Sequence, residues 1–195
     1  VVNEGRRVIN NICSAASMYL IKTTFSVLLT IGTLLVGQQY PFQAVQLSII
    51  SGCAVGLPTF FLQIEPNYNR IRQNFMELVL RNALPAGIVI AVVNLMITNI
   101  GRIFAGEYPE MLSTICVLCI GWIYFFMLKR IYSPMSNYRK AVCYVMEVVY
   151  LIVMVVSQNI IELTSVAVPG IMILIGIITF APIIIDLLET FYDRK

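Results

Sequence analysis

The sequence has no histidine, a single tryptophan and few charged side chains, which make up 12% of its 195 residues. Soluble domains usually carry about 25% charged residues and fewer than half apolar residues. This chain instead has 59% hydrophobic residues and a mean hydropathy of +0.86. The scarcity of charge therefore excludes a soluble globular protein and predicts an integral membrane protein embedded in a lipid bilayer.

The missing histidines also limit the chemistry of the chain. Five cysteines without a histidine give no zinc-binding spacing. Cys116 and Cys119 form a CxxC pair inside an apolar run, where thiols usually pack as small hydrophobic groups. The net charge of +3 is too small to predict a nucleic-acid partner. No signal-peptide pattern is visible, and because the chain starts at Val1 we expect a piece of a longer protein.

Long apolar runs take up almost the whole chain. A helix needs about 20 residues to cross a hydrocarbon core of roughly 30 Å, and hydropathy supports six such runs. They cover residues 8–36, 42–64, 83–104, 111–128, 141–157 and 166–188. The pattern predicts an all-α, polytopic bundle of six transmembrane helices, in which residues 1–195 form a single transmembrane domain.

Lysine and arginine are distributed unequally between the loops. One set of loops and ends holds eleven of them, whereas the opposite loops hold only Arg102, together with three glutamates. Because cytoplasmic loops carry the excess of positive charge, we expect both termini in the cytoplasm. The first run is about 29 residues long, roughly 43 Å as a helix. We therefore expect its polar start to project into the cytoplasm as a stalk.

The first two runs form a hairpin whose second half contains the sequence SGCAVGLP. Gly52, Gly56 and Pro58 favour an unwound or kinked helix, because glycine and proline weaken the helical hydrogen-bond ladder. The freed carbonyl groups can then face a cavity, as in the broken helices of transporters. The alternative is that Gly52 and Gly56 are small residues that allow close helix packing.

Two charged residues lie inside predicted spans, where charge is expensive and usually functional. Lys22 is a fixed counter-charge of a transport site, a partner for another helix, or a side chain that snorkels to the cytoplasmic edge. Glu147 needs a partner or a proton, so structural pairing, with Lys22 as one possible partner, competes with a proton or ion role. Four polar residues are weaker candidates that commonly bond between helices: Asn94, Asn99, Ser113 and Thr114.

The stretch EGRRVINNI, followed by a long helix and then by YPF, QL, GLP and EPN, resembles the carboxy-terminal membrane region of P-type ATPases. The resemblance covers residues 4–67 and implies that the chain comprises transmembrane helices five to ten. Residues 4–67 would be the transport hairpin with its cytoplasmic stalk, and residues 68–195 a supporting four-helix part. The resemblance also implies upstream cytoplasmic ATPase domains and four earlier transmembrane helices in the same parent, with ATP and Mg²⁺ bound there, in the plasma membrane.

The resemblance further implies a cation site in the hairpin. Calcium pumps of the family bind their ion with side chains of the fifth and sixth helices. Those positions correspond here to Thr24, Val27, Ser51, Ala54 and Val55. Only Thr24 and Ser51 keep an oxygen ligand, whereas calcium takes six to eight oxygens, several from carboxylates. The predicted site is therefore Thr24, Ser51 and the backbone around Gly52 and Gly56, completed by the parent's fourth helix, with the metal undetermined.

Three functions are compatible with these features. The first is the membrane ion pathway of an ATP-driven P-type cation transporter, which makes the parent an enzyme although this chain carries no ATP or phosphorylation site. The second is a P-type translocase of a lipid or organic cation, for which Lys22 and the apolar hairpin centre are suited. The third is a stand-alone channel, secondary carrier or structural membrane protein, which a phosphorylation motif encoded upstream of Val1 would exclude.

Overall fold

The computed structural model describes residues 2–68, 74–104, 109–158, 163 and 168–193. This part of the chain is helical and contains no β-strand. Its elements are α1 (Val2–Val36), α2 (Ala44–Ile49), a π-helical segment (Ile50–Gly56), α3 (Leu57–Leu62), α4 (Phe75–Phe104), α5 (Pro109–Ile131), α6 (Asn137–Val156) and α7 (Val168–Asp193). The prediction of an all-α helical bundle is confirmed.

Five helical stretches of the described residues are long and apolar enough to cross a membrane: Asn3–Val36, Ala44–Leu62, Phe75–Asn99, Met111–Ile131 and Gly170–Phe191. They match five of the six predicted spans. Helix α6 has 20 residues but carries Arg139, Lys140 and Glu147. Its membrane crossing and the cytoplasmic placement of both termini stay predictions. Several charges of the orientation argument lie outside the described residues: Arg70, Arg72, Glu107, Glu162, Arg194 and Lys195.

Helix α1 is 35 residues long, about 52 Å at a rise of 1.5 Å per residue. That length exceeds a hydrocarbon core of roughly 30 Å, as the predicted stalk requires. Near its start, Nδ2 of Asn10 donates to the carbonyl of Asn67 at 2.8 Å. One residue later, Nδ2 of Asn11 donates to the carbonyl of Gln63 at 3.1 Å. The polar start of α1 therefore contacts the chain that follows α3.

Helices α1 and α4 pack side by side and run in the same direction. A Cβ added at Gly87 would lie 2.6 Å from Cβ of Thr24, so the two backbones approach closely there. Eight residues further along both helices, Gly32 faces the side chain of Leu95 in the same way. Small residues at such positions let membrane helices approach closely. The two glycines therefore fix the register of this parallel pair.

Helix α5 is central in the described bundle. In its most apolar stretch 67% of the residues are buried, compared with 22% in α1 and 11% in α7. Fully buried side chains include Ile115, Tyr124 and Met127. Phe25 of α1 packs edge-on against Tyr124, with ring centroids 6.3 Å apart. A helix that is apolar on all sides is expected in such a position.

Polar contacts attach α6 and α7 to α5. The hydroxyl of Tyr150 in α6 donates to the carbonyl of Val117 in α5 at 2.9 Å. At the other end of α5, Arg130 forms ion pairs with Asp186 and Glu189 of α7. The side chain of Glu189 is only 9% exposed, and a carboxylate so removed from water requires a charged partner. The Arg130 contacts therefore compensate for the sparse burial of α7.

Candidate functional site

The second predicted span is interrupted at its centre. Between α2 and α3 the backbone widens into π-helical turns over Ile50–Gly56, and the N–H of Leu57 donates to the carbonyl of Gly52, five residues earlier. Pro58 follows at once and supplies no N–H to the ladder. Single π-helical turns within α-helices are rare and occur frequently at functional sites. The backbone around the predicted glycines is therefore irregular, but it widens rather than unwinds.

The π-helical segment has a packed face and an open face. Ile50, Ala54 and Val55 are buried, and the segment contacts α5 and α6. Gly52 is exposed, and a Cβ added there would meet no atom within 4 Å. Ser51 is half-buried, and its hydroxyl donates to a carbonyl one turn earlier. The open face therefore presents backbone at Gly52 and a hydroxyl oxygen beside it.

Gly56 ends the segment next to α1. A Cβ added there would lie 3.3 Å from the carbonyl oxygen of Ser51 and 3.9 Å from the hydroxyl oxygen of Tyr19. Tyr19 is thus the side chain by which α1 approaches the end of the segment, although 52% of its surface is exposed. Since a phenol both donates and accepts hydrogen bonds, this contact places a polar group at the junction of the two elements.

Thr24 lies on a different side of α1. At about 100° per residue it is roughly 140° from Tyr19 around the helix, and its side chain packs against Gly87 of α4. The structure therefore separates Thr24 from the other predicted site residues, which share the π-helical segment. The family pattern aligned the position along α1, but packing against α4 determines the direction of its side chain.

A row of hydroxyl groups follows the side of α1 that carries Tyr19. Tyr19, Thr23, Ser26 and Thr30 form this hydroxyl stripe, spaced three or four residues apart as one helix face requires. Oγ1 of Thr23 donates to the carbonyl of Tyr19 at 3.3 Å, and Oγ1 of Thr30 to that of Ser26 at 2.8 Å. The oxygen atoms keep lone pairs for a ligand. The prediction missed this stripe, although its spacing is visible in the sequence.

The two charged candidates have different surroundings. Glu147 forms an ion pair with Lys129 of α5, and Nζ of Lys129 lies 4.9 Å from the ring centroid of Tyr144. Lys22 is half-buried and forms no ion pair within the described ranges. It lies roughly 60° from Tyr19 around α1, at the edge of the hydroxyl stripe. Structural pairing thus accounts for Glu147, whereas Lys22 stays available to a ligand.

A buried amide anchors α2 to α5. Gln46 is 1% exposed, and its Oε1 accepts from the N–H of Gln43 and from the hydroxyl of Ser113, each at 3.1 Å. The Ser113 hydroxyl also lies 3.0 Å from the carbonyl oxygen of Pro41. Ser113 therefore bonds between helices, as its residue type predicts, and its partner Gln46 is a structural contact that no sequence pattern indicated.

The other weak candidates lie in α4 and α5. Asn99 accepts a hydrogen bond from Nε2 of Gln38, just after α1, at 2.8 Å. Asn94 is fully buried, and its Nδ2 donates to the carbonyl of Ile90 at 2.7 Å. Thr114 is buried as well. Asn99 thus extends the α1–α4 contact, while Asn94 bonds within its own helix.

Within the described ranges, no group of three or more histidine, cysteine, aspartate or glutamate side chains is placed to hold a metal ion. Cys116 and Cys119 are buried in the apolar core, which fits the packing role predicted for them. A cation at the open face would therefore meet hydroxyl and carbonyl oxygens from this chain.

No protein-family model matches the chain. The chain is 29% identical over 94% of its length to the calcium-transporting ATPase CtpE of Mycobacterium bovis, and covers 25% of that protein. It is 37% identical over 46% of its length to CtpE of Mycolicibacterium smegmatis, covering 13% of it. It is 31% identical over 71% of its length to the probable cation-transporting ATPase exp7 of Streptococcus pneumoniae, covering 19% of it. This chain belongs to the P-type cation-transporting ATPases.

The family resemblance carried by EGRRVINNI and the hairpin motifs is thereby confirmed. The relatives are enzymes, and this P-type ATPase chain spans about a quarter of the length of the first relatives it matches. Together with its apolar helices, the homology makes the chain part of an integral, multi-pass membrane protein. P-type ATPases in general use ATP and Mg²⁺.

Proposed function

We propose that this P-type ATPase chain is the carboxy-terminal membrane region of an ATP-driven cation transporter in the plasma membrane. In this proposal the cation passes along the open face of the π-helical segment and the hydroxyl stripe of α1. The observation that carries the proposal is the interruption at Ile50–Gly56, which presents exposed backbone at Gly52 and ends beside Tyr19. Irregular backbone at membrane depth is tolerated where it lines a cavity or is covered by protein.

The cation most directly supported is calcium, because two of the relatives described above are calcium-transporting ATPases. The only acidic residues in the hairpin 4–67 are Glu4 and Glu65, near its two ends. Calcium takes several carboxylate oxygens, so the upstream part of the parent would supply them. This chain would contribute the neutral oxygens of Ser51 and of the hydroxyl stripe, including Thr23 and Thr30, and the backbone near Gly52.

The proposed mechanism couples upstream ATP hydrolysis to movement of α1. ATP and Mg²⁺ would act in the cytoplasmic domains of the parent, where an aspartate is phosphorylated. Movement of the stalk would then change the contact between Tyr19 of α1 and Gly56 of the π-helical segment. Since this contact lies beside the open face, its change would open the path to one side of the membrane and then to the other.

The hydroxyl stripe can be tested with a matched control in the full-length parent. Thr23→Ala combined with Thr30→Ala should raise the half-saturating Ca²⁺ concentration for ATP hydrolysis by about tenfold, the effect of losing roughly 1.4 kcal/mol of binding energy. Thr179→Ala removes an equally exposed hydroxyl from α7, bonded at 2.9 Å to the carbonyl one turn earlier, and should have no effect. Thr24→Ala should have less effect than the double variant.

A larger effect of Thr24→Ala than of the double variant would overturn the assignment of the cation path to the hydroxyl stripe. If Thr24→Ala raises the half-saturating concentration and the double variant does not, the originally aligned position carries the site. If no metal cation stimulates ATP hydrolysis by the parent, cation transport itself is wrong.

A lipid or organic-cation translocase is the second candidate, favoured by one observation. Lys22 is half-buried at the edge of the hydroxyl stripe and forms no ion pair among described residues, so it can meet an anionic headgroup. Screening ATP hydrolysis with metals, polyamines and lipids separates the candidates. Stimulation by a lipid alone, abolished in Lys22→Gln, would support the translocase. The stand-alone channel loses its support because the relatives are ATPases.

A further inference from the structure

The side chain of Arg139, at the start of α6, is charged and yet only 6% exposed. Its Nη1 donates to the carbonyls of Tyr132 and Pro134 at 3.0 and 3.3 Å. Its Nη2 donates to the carbonyl of Glu65 at 3.4 Å, and its Nε lies 3.1 Å from Oε2 of the same residue. A buried guanidinium needs partners of this kind, because an uncompensated buried charge is strongly destabilising. The side chain therefore joins the α5–α6 connection to the chain after α3.

Two neighbours of Arg139 hold the same part of the chain. Oγ of Ser136 accepts from the N–H of Arg139 at 3.1 Å, which caps α6, and donates to Oε2 of Glu65 at 2.6 Å. The hydroxyl of Tyr138 donates to the carbonyl of Phe61 at 3.1 Å. The first turn of α6 therefore binds both the last turn of α3 and Glu65.

Tyr132 adds a contact with the interior of α3. Its side chain is 3% exposed and interacts with Thr59 and Gln63. Burial raises the pKa of Tyr132 to about 12, although these contacts and the charge of Arg139 oppose the rise. The phenol is neutral at physiological pH, as tyrosine ordinarily is, and lies near Thr59 and Gln63 as a buried, uncharged polar group.

Helix α1 also binds the stretch of chain that follows α3. Residues 63–67, called the junction segment here, receive the amide hydrogen bonds of Asn10 and Asn11 at the carbonyls of Asn67 and Gln63. Glu65, which forms an ion pair and a hydrogen bond with Arg139, lies midway between these two residues in the sequence. A displacement of α1 is therefore transmitted to the junction segment, where Arg139 opposes it.

The interrupted helix thus has an anchor at each end. Gln46 and Ser113 attach α2 to α5, and Arg139 attaches the end of α3 to the start of α6. The π-helical segment lies between these anchors in sequence and in space. Because the backbone must span the distance between these two anchors, that distance constrains the number of residues in each helical turn of the segment.

We propose that Arg139 is a positioning residue for the cation path, which fixes the end of α3 and thereby sets the geometry of the π-helical segment. The proposal rests on the function proposed above for that segment. Arg139 itself does not touch the open face. Its role is to keep the junction segment in place while α1 moves. Movement of the stalk then shifts α1 relative to the π-helical segment and changes the cation path, whereas without Arg139 α3 would move together with α1.

The test compares four variants of the full-length parent. Arg139→Ala should raise the half-saturating Ca²⁺ concentration for ATP hydrolysis fivefold or more, within the usual range of coupling between sites, and change the maximal rate per folded molecule much less. Arg139→Lys should give an intermediate shift, because lysine keeps the charge opposite Glu65 but lacks the planar fork that reaches three carbonyls. Glu65→Gln should resemble Arg139→Lys. Lys140→Ala, at the exposed next position, should match the wild type.

A second readout does not depend on transport. Cys53 lies half-buried in the π-helical segment, whereas the other four cysteines are buried. The rate of Cys53 labelling by N-ethylmaleimide in the folded parent, separated from aggregates by size exclusion, should change in Arg139→Ala and stay unchanged in Lys140→Ala. If the parent shows no cation-stimulated turnover but this rate changes, the proposed function fails, and only the geometric part stands, that Arg139 sets the conformation of the π-helical segment.

Two results would overturn the positioning role. One is an Arg139→Ala variant whose half-saturating Ca²⁺ concentration and Cys53 labelling both equal those of the wild type. The other is a smaller yield of folded protein whose folded fraction has wild-type values for both measurements, which would limit Arg139 to a role in folding.

Discussion

At the scale of single residues, glycines determine how closely the helices approach. Gly87 in α4 is covered by Thr24 and Phe25 of α1, since an added Cβ would lie 2.6 Å from Cβ of Thr24 and 3.3 Å from the backbone nitrogen of Phe25. Neither atom is the flexible end of a long side chain. A methyl group at this position therefore requires the two helices to move apart.

Gly87→Ala should for this reason destabilise the protein, by about 1–3 kcal/mol for an overpacked contact. Gly176→Ala is the matched control, because Gly176 in α7 has no atom within 4 Å of an added Cβ. That control should be neutral or slightly stabilising, as alanine favours helices. The measurement is the midpoint of thermal unfolding in detergent. Equal midpoints for the two variants would contradict the close contact between α1 and α4.

At the scale of elements, the interrupted helix is followed directly by Pro58, which has no backbone N–H to donate. Pro58→Ala supplies that donor and allows a regular α-helical ladder to continue from α2 into α3. We expect the variant to fold normally but to show a higher half-saturating Ca²⁺ concentration, because the π-helical turns narrow and the exposed backbone at Gly52 moves.

Pro182→Ala makes the same change inside α7, away from the proposed path, and should leave Ca²⁺ dependence unaltered. Cation-stimulated ATP hydrolysis by the parent provides the measurement for both proline variants. Identical Ca²⁺ dependence in Pro58→Ala and the wild type would show that the wider turns have no part in transport.

At the scale of the whole molecule, α7 is the least buried of the five membrane-spanning stretches of the described residues. Arg130 binds both Asp186 and Glu189 on it. Arg130→Gln should lower the free energy of unfolding by roughly 1.5–3 kcal/mol, the contribution of hydrogen bonds to charged groups, and should make α7 more accessible to proteases.

The exposed pair of Arg7 and Glu4, 3.4 Å apart, supplies the control for Arg130. Arg7→Gln should have almost no effect, because ion pairs in water contribute little. Limited proteolysis and thermal unfolding of both variants compare the two ion pairs directly. A protease pattern for Arg130→Gln equal to that of the control would mean that apolar contacts alone hold α7.

The sequence predicts the helices well and the directions of their side chains poorly. In lipid the backbone must satisfy its own hydrogen bonds, so apolar length alone places α1, α4, α5 and α7. Gly52 and Pro58 similarly locate the interruption. The direction of Thr24 could not be predicted, because it depends on which helix packs against α1. The partner of Glu147 depends in the same way on contact between α5 and α6, helices whose pairing no local pattern specifies.

The parallel packing of α1 and α4 has a mechanical consequence. The side chains of Thr24 and Leu95 pack directly against Gly87 and Gly32. Sliding one helix along the other would therefore require these side chains to leave their contacts. A displacement of α1 along its axis therefore either carries α4 with it or shifts α1 relative to α4 by a full helical turn, about 5.4 Å. In the first case the displacement of α1 is transmitted to every helix that touches α4.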